Sequence, residues 1–340
     1  MSGSPTIAPL HDSSHRPLLK SGLVAGGRPQ RSTGANSNST SSAITSATSS
    51  PSPRIELRSE ADVEGIARAG ALVASVLEVA RNACKAGVTT SEINQAAHHA
   101  ILAGGGEALF VGYRGTSESR PAFPAATCIS VNEELVHGVP SARVVQDGDL
   151  VSIDVGVRLD GWCADSAITV CVGEVLAERH ALVACAEAML QHAIAAAVPG
   201  RRWSGIAREL EAIAEQANFA IAVDFVGHGI GRKLHEPPQV PCSAYRSFRE
   251  HGDFTLRPGM VLAIEPMLVL EAPQRLVAGE SAGDLCSPTC TLAADGWTVV
   301  LNSGRPSCHV EHTVVITRDG ARVLTAASKY SSHADYRRAG

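Results

Sequence analysis

Asp154 and Asp165 stand eleven residues apart, on either side of an Asp160-Gly161 hairpin signal. Before the turn, Val151, Ile153, Val155 and Val157 alternate with Ser152, Asp154 and Gly156. That period of two makes a strand with one greasy face and one polar face. The run from Ala164 to Val170 alternates again, with Asp165, Ala167 and Thr169 sharing a face. A turn centred between 159 and 160 sets the two carboxylates directly opposite. A turn centred between 160 and 161 makes them diagonal neighbours on the same face. Either way they lie roughly 4.5–8 Å apart, and their charges repel unless a proton or a cation sits between them. A metal ion is the expected occupant.

Three later segments offer further ligands. Phe225-Val-Gly-His-Gly-Ile-Gly231 holds His228 between glycines, where backbone can come close to a ligand. Val261-Leu-Ala-Ile-Glu-Pro-Met267 ends an apolar run on Glu265, which Pro266 forces to be extended. His309-Val-Glu-His-Thr-Val-Val-Ile316 sets Glu311 on the alternating face of a last strand. Four carboxylates and one imidazole exceed what a single zinc site uses. They suit two divalent ions about 3.5–4 Å apart, with bridging carboxylates and a shared water. Singly, each has a plainer reading: Asp154 or Glu311 as a solvated strand residue, His228, His235 or His137 as a histidine near a turn. The combination is what points to chemistry. Histidine with carboxylates fits Mn, Fe, Co or Zn alike.

The elements that must position these residues are readable in outline. Ser59-Glu-Ala-Asp62 starts a helix, and Ile66, Gly70, Val73, Val76, Leu77 and Ala80 keep helical spacing to a stop at Gly87. Thr90 or Ser91 caps a second helix that Gly104-Gly-Gly106 ends. Strands are expected from Ala126 to Val131 and through the central hairpin. Two more helical patterns, Ala177 to Val198 and Trp203 to Asn218, precede strand-rich runs at 227–240, 260–270 and 310–317. Helices then strands, twice over, suggest an α+β fold of two similar halves. Segments 114–122 and 271–296 read as loops.

Residues 1–53 are different material. A Ser/Thr/Ala/Asn tract running into Pro51 and Pro53 lacks the apolar residues of a core, so this extension reads as disordered. Its Arg and Ser content leaves an organellar transit peptide as the alternative. The catalytic domain is expected over 54–340. The whole chain is 44% hydrophobic, with a formal charge of −5, which gives no hint of nucleic-acid or membrane-surface binding. No apolar run approaches the ~20 residues of a membrane-spanning helix. Nine scattered cysteines read as reduced thiols in a reducing compartment, so a cytoplasmic protein is expected.

The stretches Ser130-Val-Asn-Glu-Glu-Leu-Val-His-Gly-Val-Pro140, the Asp154/Asp165 pair, Gly227-His-Gly-Ile-Gly-Arg-Lys-Leu-His-Glu-Pro-Pro-Gln-Val240, Ile264-Glu-Pro-Met267 and Glu311-His-Thr313 occur in that order. Together they resemble the type I methionine aminopeptidases over roughly residues 55 to 325. The resemblance implies the pita-bread fold, one domain of two pseudo-symmetric halves. It implies Asp154, Asp165, His228, Glu265 and Glu311 as ligands of two divalent ions, with Asp165 and Glu311 bridging. It further implies attack of a metal-bridged hydroxide on the scissile carbonyl. His235 would then bond the carbonyl oxygen, His137 the scissile amide nitrogen, and Glu265 would relay a proton to the leaving amine. Tyr113, Phe123, Cys128, His137, Leu234 and Trp297 match positions of the methionine pocket, whose aromatic and sulfur groups suit an unbranched thioether. The implied substrates are N-termini of nascent polypeptides with a small second residue, met at the ribosome by a monomeric enzyme.

Departures from the family pattern are two insertions. About seven extra residues separate Tyr113 from Phe123, and some fifteen lie around 271–294. The second carries Cys286 and Cys290, which with Cys308-His309 could form a zinc site. A prolidase-like enzyme shares the fold and the five ligands but lacks the match through 130–140 and 227–240. A non-enzymatic binding protein on the same fold would lack ligands, and none is missing here.

Overall fold

A computed structural model describes residues 54–115, 120–279 and 281–326. The extension at 1–53, read above as disordered, lies outside the described residues.

The first half opens with two helices, α1 (Glu60–Ala83) and α2 (Thr90–Ala103). Short strands β1 (Glu107–Ala108), β2 (Cys128–Val131) and β3 (Glu134–Val136) follow, then the long hairpin β4 (Leu150–Leu159) and β5 (Trp162–Cys171). Ser59 caps α1 as expected, in a reciprocal bond with Asp62. The cap of α2 is Thr89, one residue before the expected position. Its hydroxyl accepts from the Glu92 N–H while the Glu92 carboxylate accepts from the Thr89 N–H, and only a residue three before Glu92 can make both bonds. α1 ends four residues before Gly87, because Cys84 turns extended (φ −75°, ψ 93°).

The second half repeats the plan with α3 (Ala177–Ala196) and α4 (Trp203–Gln216). After them come β6 (Ala220–Ile221), β7 (Gly227–Gly229), β8 (Glu236–Val240), β9 (Val261–Ile264) and β10 (Met267–Val269). The chain closes with β11 (Cys290–Leu292), β12 (Val299–Leu301), β13 (Ser307–His309), β14 (His312–Ile316) and β15 (Ala321–Val323). The expected loop over 271–296 therefore contains a strand, β11, paired with β12. Glu311 lies between β13 and β14 rather than on a last strand, since β15 follows.

Each half has its own sheet and its own apolar core. The hairpin β4–β5, with β1 and β2 on the outer edge of β4, packs against α1 and α2 around Ile66, Val73, Ile93, Ile129 and Ile153. The five-stranded sheet β15-β14-β9-β7-β8 packs against α3 and α4 around Met189, Trp203, Ile206, Leu262 and Val314. Every named strand pairing is antiparallel. Two smaller sheets, β13-β10-β6 and β11-β12-β3, complete the strands, and with β5 meeting β14 the helices and sheets form the α+β arrangement of two similar halves that the sequence suggested. No helix among the described residues is long and apolar enough to cross a membrane.

Candidate metal centre

The hairpin sets the first two carboxylates. Leu159 faces Trp162, so the turn is the two-residue Asp160-Gly161, both at positive φ (52° and 74°). That is the backbone of a tight hairpin whose twist matches its strands, and Asp-Gly is well suited to it. Gly156 then pairs with Asp165 and Asp154 with Ala167, making the aspartates diagonal neighbours, the second of the two registers considered.

The other ligand candidates reach the same place across the joint between the halves. The Asp165 N–H donates to Thr313 Oγ1 (3.0 Å), and that hydroxyl donates to the Asp165 carbonyl (2.8 Å). The Glu311 N–H donates to the Ala167 carbonyl (2.9 Å), and Ser166 Oγ donates to the Glu311 carbonyl. These bonds clamp β5 to the chain entering β14. On β7, a Cβ at Gly227 would stand 2.3 Å from the Ala263 carbonyl oxygen, and one at Gly229 2.2 Å from that of Pro237. Only glycine lets β7 fit between β8 and β9, which is what places His228. His228 Nδ1–H donates to the Gly229 carbonyl (2.9 Å), a tautomer that leaves the lone pair on Nε2, 3.7 Å from Glu265 Oε1. Glu265 itself occupies the step from β9 to β10.

Among the described residues, one group of potential ligands has donor atoms all within 4.8 Å of one another: Asp165, His228 and Glu311. Asp154 and Glu265 adjoin it on the wall of the same cleft. Asp154 Oδ1, Asp165 Oδ1 and Glu311 Oε1 are buried without a hydrogen-bond partner. Burial and then neighbouring carboxylates hold Asp154, Glu265 and Glu311 well above the usual carboxylate range, and burial carries Asp165 up to about 6. Among the described residues, no Lys or Arg lines the cleft. A buried acidic cluster with oxygens left over and no described Lys or Arg beside it calls for protons or a cation, and the carboxylate and imidazole donors fit divalent metal.

A pH dependence follows with a definite sign. In metal-free protein the Asp165 carboxyl is raised from 3.8 to about 6, so its stabilising contribution is complete below 3.8 and lost as pH rises through 6. Metal-free protein is expected to lose thermal stability from this cluster between pH 4 and pH 7. Divalent ions compete with protons for the same oxygens, so the rise in Tm on adding Mn²⁺ or Co²⁺ should grow over that interval. Calorimetry at both ends, with and without ion, checks this; an ion-induced rise that does not depend on pH would contradict it.

The cleft continues from the acidic cluster into a small, mostly apolar and aromatic recess. Tyr113, Phe123, Cys128, Leu234 and Trp297 line it, together with His137 and His235. Phe123 meets Trp297 edge-on (5.3 Å between centroids), and Trp297 Nε1–H donates to the Pro121 carbonyl (2.9 Å). Tyr113 Oη lies 2.8 Å from His235 Nδ1, and the His235 ring stands 4.4 Å from that of His228. His137 reaches the cleft from a left-handed backbone (φ 58°), a costly conformation for a residue with a side chain and one common at working sites. All twelve residues singled out in the sequence thus border one cleft.

Sequence reasoning missed Phe110, Val136, Phe225, Val226, Met267 and His309 as lining residues. For His309 a signal was available, since it stands two residues before Glu311 and so shares its face in extended chain. The zinc site considered for Cys286, Cys290, Cys308 and His309 is not formed. Cys308 is buried with its Sγ 3.7 Å from the Leu182 carbonyl, Cys286 and Cys290 bond carbonyls of their own loop, and His309 faces Glu265. All nine cysteines are free thiols. The 271–294 insertion ties to Glu215 of α4 through Arg275 and, through Asp284, to Arg246 and Arg249, and none of its described residues lines the cleft. At the other insertion, the Arg120 guanidinium lies 4.8 Å from the centroid of the Trp297 ring. Arg120 and Pro121, at the end of that insertion, pack against Trp297.

Comparison with known proteins places this geometry. Residues 64–318 match metallopeptidase family M24. The sequence is 40% identical over 262 residues to methionine aminopeptidase 1 of Bacillus subtilis, covering 77% of this chain and 95% of that protein. The crystal structure of a Thermotoga maritima methionine aminopeptidase superposes with a TM-score of 0.70 at 33% identity, covering 81% of this chain and all of that one (100%). The prolidase of Pyrococcus furiosus gives a TM-score of 0.58 at 20% identity, over 80% of this chain and 66% of its own, a likeness of fold alone.

Proposed function

The chain belongs to metallopeptidase family M24, among its type I methionine aminopeptidases, and from that premise we propose how its residues divide the work. The protein is a metal-dependent aminopeptidase that removes N-terminal methionine. Asp154, Asp165, His228, Glu265 and Glu311 would hold the divalent ions, two of which the donor set could accommodate. The observation that carries this reading is the set of buried carboxylate oxygens without partners, converging with His228 Nε2 at one end of an aromatic cleft.

Divalent ions bound there acidify water and draw charge from a carbonyl oxygen. The chain's own groups supply the rest. His235, steadied by Tyr113 Oη, donates to the scissile carbonyl oxygen, where negative charge develops. His137, which also lines the cleft, bonds the scissile amide nitrogen. Glu265, whose carboxyl is raised by burial, carries a proton to the leaving amine. The acidic end of the cleft receives the cationic α-amino group, which restricts cutting to N-termini. Tyr113, Phe123, Cys128, Leu234 and Trp297 enclose the methionine side chain, with thioether sulfur against aromatic edges. The substrates are N-termini of new polypeptides whose second residue is small.

With Mn²⁺ or Co²⁺ supplied, Met-Ala-Ser should be cleaved and Xaa-Pro peptides left intact. Replacing methionine by norleucine, or Trp297 by Ala, should lower kcat/KM by about 10–200-fold, the worth of 1–3 kcal/mol of pocket contact. Release of another first residue, with Met-Ala-Ser untouched, would overturn the methionine assignment while leaving the metal centre.

A further inference from the structure

His309 borders the acidic end of the cleft, and none of the roles above uses it. Its backbone is pinned at the end of β13. The N–H donates to Ser152 Oγ (3.2 Å) and Thr169 Oγ1 (3.1 Å), and the carbonyl accepts from Thr169 Oγ1 (2.8 Å). Met267 of β10 pairs with it on the other side. The ring is thereby held against the ligand carboxylates.

Nε2 of His309 is buried and has no hydrogen-bond partner. It stands 3.6 Å from Glu265 Oε2 and 3.8 Å from Glu311 Oε2, too far from either for a hydrogen bond. A buried nitrogen left unpaired is costly and calls for an explanation. Those separations are what two donors show when they share one ion, because each donor-to-metal bond is about 2.0–2.2 Å long. His228 Nε2 faces the other oxygen of the same carboxylate, Glu265 Oε1, at 3.7 Å. Glu265 therefore lies between two imidazoles.

We propose that His309 is a sixth protein donor to the metal centre, joining the ion that Glu265 and Glu311 share. The inference rests on the five-residue centre proposed above and adds to it. A second imidazole on one ion takes a position that water would otherwise fill. It also shifts preference toward Co²⁺ and Zn²⁺ and away from Mn²⁺, which favours oxygen donors.

The test is a count of imidazoles. Full-length protein carrying ring-¹⁵N histidine is loaded with one Co²⁺ per chain, and paramagnetically shifted histidine ring resonances are recorded by NMR. Two such rings are expected in the unaltered protein and one in His309→Gln. Calorimetric titration should show Co²⁺ bound at least about tenfold more weakly by His309→Gln than by the unaltered protein, because even an outer-shell partner is worth 10–100-fold in affinity. A single shifted ring in the unaltered protein would overturn the role of His309 whether or not the variant folds, and would leave the five-residue centre standing. Failure of the unaltered protein to bind Co²⁺ would instead remove the centre on which the inference rests.

Discussion

Glu311→Gln and Asp154→Asn are each expected to lower kcat for methionine release by more than about 100-fold while leaving the fold intact. Both changes keep shape and remove one negative charge. Neither Glu311 Oε1 nor Asp154 Oδ1 accepts a hydrogen bond, so no protein–protein bond is lost through those atoms. Each residue sits in a cluster where burial and neighbouring carboxylates already favour the neutral form. An amide there relieves repulsion, and metal-free variants should melt at or above the temperature of metal-free parent protein at neutral pH. The two should differ in metal content. Glu311, within the Asp165–His228–Glu311 triad and proposed to serve both ions, should cost both, whereas Asp154 at its edge should cost one. Elemental analysis, circular dichroism and peptide turnover on the same samples separate these effects. Normal turnover with a full metal complement in either variant would remove that residue from the centre.

The parts of this structure legible in the sequence are those with long, regular patterns. The alternation from Val151 to Val157 and from Ala164 to Val170 gave the hairpin, and Asp160-Gly161 gave its turn to within one register. Ser59 and Asp62 announced α1 because a capping box is a local, side-chain event. Most of the very short strands were not legible. β6, β12 and β13 have two or three residues each, too few to show a period, and they exist because a neighbouring strand supplies the other half of the ladder. β11 was hidden for the same reason, inside a polar insertion with no alternation of its own.

Convergence of the site was legible only through the family motifs. Nothing in the local sequence says that Thr313 will clamp Asp165, or that Ser166 will reach the Glu311 carbonyl, because those bonds span about half the chain. His309 shows the opposite failure. The two-residue spacing to Glu311 put it on the ligand face, but Cys308 beside it suggested a zinc site with two distant cysteines. The sheet decides between them by turning alternate residues to opposite sides. Cys308 goes into the core below α3, and His309 goes to the cleft.

Removal and return of metal is the most direct test that this cleft is a metal-dependent methionine aminopeptidase site. Protein stripped by a strong chelator and freed of it should stay folded, since the residues that pack the helices onto the sheets, such as Ile66, Ile93, Met189 and Trp203, are not part of the cleft lining. Turnover of Met-Ala-Ser should fall to background, because carboxylates and imidazoles alone cannot make water nucleophilic at neutral pH as divalent ions do. Titrating Co²⁺ or Mn²⁺ back should restore turnover in step with ions bound, reaching its maximum at no more than two per chain. Undiminished methionine release by protein shown to be metal-free would contradict the assignment.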